Sequence, residues 1–90
     1  MRKIVLAAEK MTVLPKVHKY LQKTLGLPAH YGANLDALHD CLTELDEETE
    51  LTVSAKVAQT EFLGWYGQQL LQVLQDAAEE NDKLLIKIVD

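Results

Sequence analysis

The sequence predicts a small α/β domain over residues 1–90: a three-stranded parallel sheet with about four helices packed on it. Three observations carry this. Three short apolar runs, Lys3–Ala7, Glu50–Ser54 and Lys83–Val89, have the length and aliphatic, partly β-branched character of strands. The segments between them repeat apolar residues at three- and four-residue spacing, the period of a helix with one buried face. Strands separated by helices favour crossover connections within one parallel sheet. Ninety residues, nearly half of them apolar, suffice for one core and leave little room for a deep pocket.

Taken in order, Lys3–Ala7 is the first strand and Glu9–Thr12 a turn. Pro15 suits the first turn of a helix, where its missing N–H costs nothing. Val17, Leu21 and Leu25 continue that helix with Tyr20 alongside, Gly26 fits its C-cap and Pro28 stops it. His18, beside the stripe, reads as structural or exposed. After a Gly26–Gly32 linker, Asn34 is a strong N-cap for a second helix. Leu35, Leu38, Leu42 and Leu45 form its buried stripe, while Asp36, His39, Asp40, Thr43 and Glu44 share another face. Leu45–Thr49 is an acidic loop, Glu50–Ser54 the second strand, and Ser54 can cap a short helix over Ala55–Thr60. Thr60 or Glu61 opens the last helix, which runs to about Asn81 on a stripe of Leu63, Tyr66, Leu70, Leu74 and Ala77. Gly64 and Gly67 weaken its early turns and point to a break or kink near Gly67; Phe62 and Trp65 read as packing residues. Asp76, Glu79 and Glu80 crowd its C-terminus, where the helix dipole disfavours negative charge. Lys83–Val89 is the clearest strand.

The formal charge is −5, unevenly spread. Residues 1–23 hold six basic groups against one acid, and no Lys or Arg occurs between Thr24 and Ala55, where seven acids accumulate. That acidic stretch is a poor ligand for nucleic acid, because phosphates need cations, and it suits a basic partner. A lone cysteine, Cys41, excludes an internal disulfide and reads as core. No signal peptide follows Met1-Arg2-Lys3 and no run reaches membrane-spanning length, so the chain reads as cytoplasmic and, lacking extra apolar faces, as a monomer.

The glycines match no dinucleotide or phosphate-loop spacing, so no cofactor is expected. His30, Asp36, His39 and Asp40 have metal-ligand chemistry, but His39 and Asp40 point about 100° apart on a helix, and no metal site is assigned. His39 with Asp36 could pair a general base with its orienter; no nucleophile or oxyanion device accompanies them, so no catalytic residue is assigned.

Tyr31-Gly-Ala-Asn-Leu-Asp-Ala-Leu-His-Asp40 resembles the signature of the barstar family, intracellular inhibitors of small secreted ribonucleases such as barnase. That signature reads Tyr-Gly-x-Asn-Leu-Asp-Ala-Leu-Trp-Asp. Leu25-Gly-Leu-Pro28 and Leu71–Ala77 also resemble the family in place and order. The resemblance implies the same parallel-sheet fold, no catalysis, and a face that plugs a basic ribonuclease active site. By residue-wise match, Asp40 replaces a substrate phosphate, Asp36 is a second such carboxylate, and Asp76 and Glu80 face the enzyme's basic rim. Gly32, Asn34, Leu35 and Thr43 match contact positions. There are three departures: His30 stands for a tyrosine, His39 for the tryptophan, and Glu44-Leu45 for a Gly-Trp pair. They remove aromatic contact area, the usual seat of binding hot spots, and so point to a cognate ribonuclease other than barnase. The same face also fits an immunity protein for another nuclease toxin domain. A small enzyme using His39 and Asp36, and an interaction module without a nuclease partner, are the readings from other classes.

Overall fold

A computed structural model describes residues 1–90. Strand β1 (Arg2–Val5) leads through a 3-10 turn at Ala8–Lys10 into helix α1 (Leu14–Leu25). Helix α2 (Leu35–Thr43) follows, then strand β2 (Thr49–Ser54), a second 3-10 turn at Ala55–Ala58, helix α3 (Trp65–Glu80) and strand β3 (Leu84–Val89). The sheet is parallel in the order β1-β2-β3. The expected α/β architecture is therefore present, with three helices and two 3-10 turns as the helical complement.

The register explains which side of the sheet is dry. Ile4, Leu51 and Ile86 form one cross-strand row, and Arg2, Thr49 and Leu84 another on the same face. Leu51, Thr49, Val53 and Leu84 on this face are buried, and the helices lie against it. The alternate rows, Lys3-Glu50-Leu85 and Val5-Thr52-Lys87, look away and carry the most exposed strand residues. Parallel sheets are commonly covered on both faces; this one is covered on one.

The core beneath the helices joins Val17, Leu21 and Leu25 of α1, Leu38 and Leu42 of α2, and Leu70, Leu74 and Ala77 of α3. Each set is spaced for one buried helical stripe, so the periodicity in the sequence sets the packing. Tyr20 ties α1 to the end of β1 by accepting the Ala7 N–H at 2.8 Å.

Three features of the last helix differ from the sequence reading. Helix α3 begins at Trp65, not Thr60 or Glu61, because Gly64 has φ +56° and ψ −128°, a conformation that side chains exclude and that no helix continues through. The helix runs without a break through Gly67. Gly67 is buried where α3 crosses the second 3-10 turn, and a Cβ there would fall 1.9 Å from the Val57 carbonyl oxygen. The glycine is a contact point between backbones. Trp65 is also not a packing residue, being 70% exposed. No helix is long and apolar enough to cross a membrane.

Candidate partner-binding surface

The surface is built on α2. Asn34 caps the helix as its sequence predicts, accepting the Ala37 N–H at 2.8 Å. Its Nδ2 reaches back across Ala33 to the Gly32 carbonyl at 3.2 Å. Ala33 itself has φ +55°, a left-handed conformation that costs a non-glycine residue about 1–2 kcal/mol. The preceding loop is thus tightly specified at the helix entrance. Leu38 and Leu42 anchor α2 in the core with Leu35 packed at its edge, and this orientation turns Asp36, Asp40 and Glu44 to solvent. Asp36 sits in the first turn, where the helix dipole favours an anion.

Of the remaining candidates, His30 and Gly32 are exposed on the loop, and the Thr43 hydroxyl bonds the Asp40 carbonyl at 2.9 Å. A hollow of about 220 Å³ between the loop and α2 brings His30, Gly32, Asp40 and Glu44 around one opening, with Tyr31 and Cys41 in its wall. Burial pushes the Cys41 thiol above its ordinary range, with Glu44 and Asp40 adding to the effect, so it stays protonated.

Helix α3 enters through Glu80. Its carboxylate bonds His39 Nε2, while Asp40 Oδ1 lies 3.8 Å from His39 Nδ1. The imidazole therefore sits between two carboxylates from two helices. The Glu80 hydrogen bond raises the His39 pKa above its ordinary value, partial burial opposes this, and Asp40 adds to the rise. The same contact gives a partner to one of the acids that crowd the negative end of α3. Asp76 shares the face of Glu80 one turn earlier and bonds Gln72 at 2.9 Å, without a hydrogen bond to α2. No Lys or Arg pairs with Asp36, Asp40, Glu44, Asp76 or Glu80; the ion pair formed by a strong base is Arg2 with Glu47 at 3.9 Å. No three His, Cys, Asp or Glu side chains converge as a metal-binding set.

Two residues that support this surface were not singled out from the sequence as doing so. Asn81, 8% exposed, follows α3 and donates from Nδ2 to the Leu42 and Leu45 carbonyls, both at 3.0 Å, closing the end of α2. Its Oδ1 accepts the Lys83 N–H at 3.0 Å. One amide thus joins α2, α3 and the approach to β3. The signal was slight, a lone Asn at a helix end, whose preference for caps gives no hint of the distant helix it serves. His18 is the second. It is 5% exposed, and its ring nitrogens meet the Tyr31 and Tyr66 hydroxyls, each at 2.6 Å. Burial lowers the His18 pKa and raises those of both tyrosines, so the ring is neutral near pH 7.

The family model described as "Barstar (barnase inhibitor)" matches residues 1–89. Among curated proteins, the chain is 38% identical over 81 residues to the Bacillus subtilis (strain 168) protein named "Putative ribonuclease inhibitor YrdF", covering 89% of each chain. A match over nearly the whole chain, joined to the parallel sheet and the exposed acidic helix, establishes that this protein belongs to the barstar family.

Proposed function

We propose that the chain inhibits a small basic ribonuclease by occluding its active site. Asp40 and Asp36 stand in for substrate phosphates, Asp76 and Glu80 meet the basic rim, and His30, Gly32, Asn34, Leu35, His39, Thr43 and Glu44 complete the contact. The observation that carries this is the set of exposed carboxylates on a core-anchored helix with no Lys or Arg neutralising them. A carboxylate held in preset geometry suits an anion site lined by arginines, which reward planar bidentate contact. Negative charge that no Lys or Arg compensates would also steer a basic enzyme into encounter, an effect that salt screens. Family membership and the name of the B. subtilis relative support an inhibitor in place of an enzyme. The inhibitor acts in the cytoplasm as a monomer, on a cognate enzyme whose surface accommodates His30, His39 and Glu44.

The experiment is a ribonuclease titration. The protein and an Asp40→Ala variant are titrated against a panel of small secreted ribonucleases, barnase included, and nuclease toxin domains. Stoichiometric loss of cleavage with the parent protein, and not with the variant, is expected for the cognate enzyme. Inhibition of a toxin nuclease alone would make the protein an immunity protein using the same face, and no inhibition across the panel would reject the proposal. RNA cleavage by the protein alone would reject it equally.

A further inference from the structure

The Tyr31–His18–Tyr66 cluster lies behind the proposed binding surface, and nothing in the proposed mechanism uses it. Its three members come from three places in the chain: His18 from the middle of α1, Tyr66 from the first turn of α3, and Tyr31 from the loop between His30 and Gly32. Both contacts are 2.6 Å, short even for bonds that involve a hydroxyl. A neutral imidazole carries one N–H and one bare nitrogen. It can therefore accept from one tyrosine while donating to the other, and both bonds form in either tautomer. The ring is a two-ended connector, and each end is taken.

This connector sits where the backbone needs restraint. Two residues after Tyr31, Ala33 is held at φ +55°. Sparsely populated conformations persist only where the surroundings over-determine them. Asn34 restrains the loop on its helix side through its bonds to Gly32 and Ala37. On the other side lies a hollow of about 280 Å³ lined by Leu14, Pro15, His18, Ala33 and Tyr66, into which an untethered loop could settle. The Tyr31 hydroxyl is the side-chain bond that spans from the His30–Asn34 segment to the body of the protein, while Gln22 of α1 holds the start of the loop by donating to the Pro28 carbonyl at 2.9 Å.

We propose that His18 is a positioning residue for recognition: by bridging Tyr31 to Tyr66 it fixes the His30–Asn34 loop against α1 and α3 before any partner arrives. The loop claim stands on its own; its consequence for inhibition rests on the ribonuclease reading above. Preorganisation of this kind raises affinity by removing the ordering cost from the binding step. The Tyr66 hydroxyl then influences a loop in which it does not lie, which a contact-only description of the surface does not anticipate.

Amide hydrogen exchange by NMR on the isolated protein tests the loop claim. The reporters are Tyr31 N–H, bonded to the Pro28 carbonyl, and Ala37 N–H, bonded to Asn34. His18→Leu removes both bonds. Tyr66→Phe deletes one hydroxyl from a half-buried ring and keeps the protein testable if the histidine variant fails to fold. His18→Gln retains a donor and an acceptor and is the rescue variant. Loss of one net hydrogen bond predicts about threefold to tenfold faster exchange at Tyr31 and Ala37 in Tyr66→Phe, relative to β2 amides of the same sample. His18→Gln should lie between His18→Leu and the parent. Exchange that rises equally at the reporters and in β2, or at neither, overturns the positioning role and leaves the cluster a general stabiliser.

The same variants are then assayed as inhibitors. Where the parent protein inhibits, a matching loss of inhibition in Tyr66→Phe supports the proposal. Unchanged inhibition despite a loosened loop overturns the link to recognition. Where the parent inhibits no ribonuclease, the functional reading fails, and the exchange data still decide whether His18 fixes the loop.

Discussion

Replacing Gly67 with alanine isolates the contact between α3 and the turn that follows β2. The added Cβ would meet the Val57 carbonyl oxygen at 1.9 Å, the Val57 carbonyl carbon at 2.5 Å and the Ala58 Cα at 2.9 Å. All three are backbone atoms, so no side chain can swing aside, and the oxygen must retreat by more than an ångström. It is not free to do so, because it accepts the Leu63 N–H at 3.0 Å. Overpacking of this kind costs about 1–3 kcal/mol, and the strained hydrogen bond adds about 1 kcal/mol. Against this, alanine in a helix is favoured over glycine by about 1 kcal/mol. The net expectation is a loss of about 1–3 kcal/mol, roughly 4–24 °C in Tm for a chain of this size. Urea and thermal unfolding followed by circular dichroism read the change, with the m-value preserved if the native state stays compact. Equal or greater stability in Gly67→Ala would refute the reasoning, since helix propensity would then outweigh the close approach.

Asn81→Ala should cost about 2–3 kcal/mol in urea unfolding, because it strips partners from the Leu42 and Leu45 carbonyls and the Lys83 N–H; a loss below about 0.5 kcal/mol would mean that water replaces the amide freely. Ala33→Gly should raise stability by up to about 1 kcal/mol, the relief of a left-handed alanine less the extra freedom glycine gives the unfolded chain; a lower Tm would contradict that strain. His18 has a lowered folded pKa, so the unfolded state binds the proton more readily and stability falls as pH drops below about 6.5 toward the folded value. A His18→Gln variant compared with the parent by urea midpoints at about pH 7.5 and about pH 5.5 should lose less stability on acidification. His39 shifts the other way: its raised folded pKa gives stability present below about 6.5 and lost as pH rises through the folded value. On the surface, its protonation adds positive charge beside Asp40 and Glu80, so association with a basic ribonuclease should slow as pH falls through that range. A His39→Gln variant should flatten that dependence in stopped-flow measurements, and an unchanged pH profile would exclude His39 as its source.

The residues that made the fold legible are those whose spacing alone determines their surroundings. The leucines of α2 and the stripes of α1 and α3 could be read because a helix converts sequence period directly into a face. The Asn34 cap was legible for a similar reason: its bond is to a residue three positions away. Misreadings came where distant backbone decides. Gly67 looks like a weak point in a helix until the Val57 carbonyl is seen against it. Thr60-Glu61 looks like a helix start until the Gly64 conformation intervenes. The acidic face could be read as a set, but the meeting of His39 with Glu80, forty-one residues apart, could not. Nor could the two tyrosines on His18, thirteen and forty-eight residues away, since pairing across the core has no local signature.

The sheet covered on one side divides the molecule into a front and a back. Every residue of the proposed recognition surface lies on α2, its two caps, the loop that leads into it or α3, while Lys3, Val5, Thr52, Leu85 and Lys87 look the opposite way. Substitutions on the two sides that lie more than about 7–10 Å apart should add in their effects on stability. The back therefore offers positions for a label or surface attachment that leave the proposed recognition surface untouched.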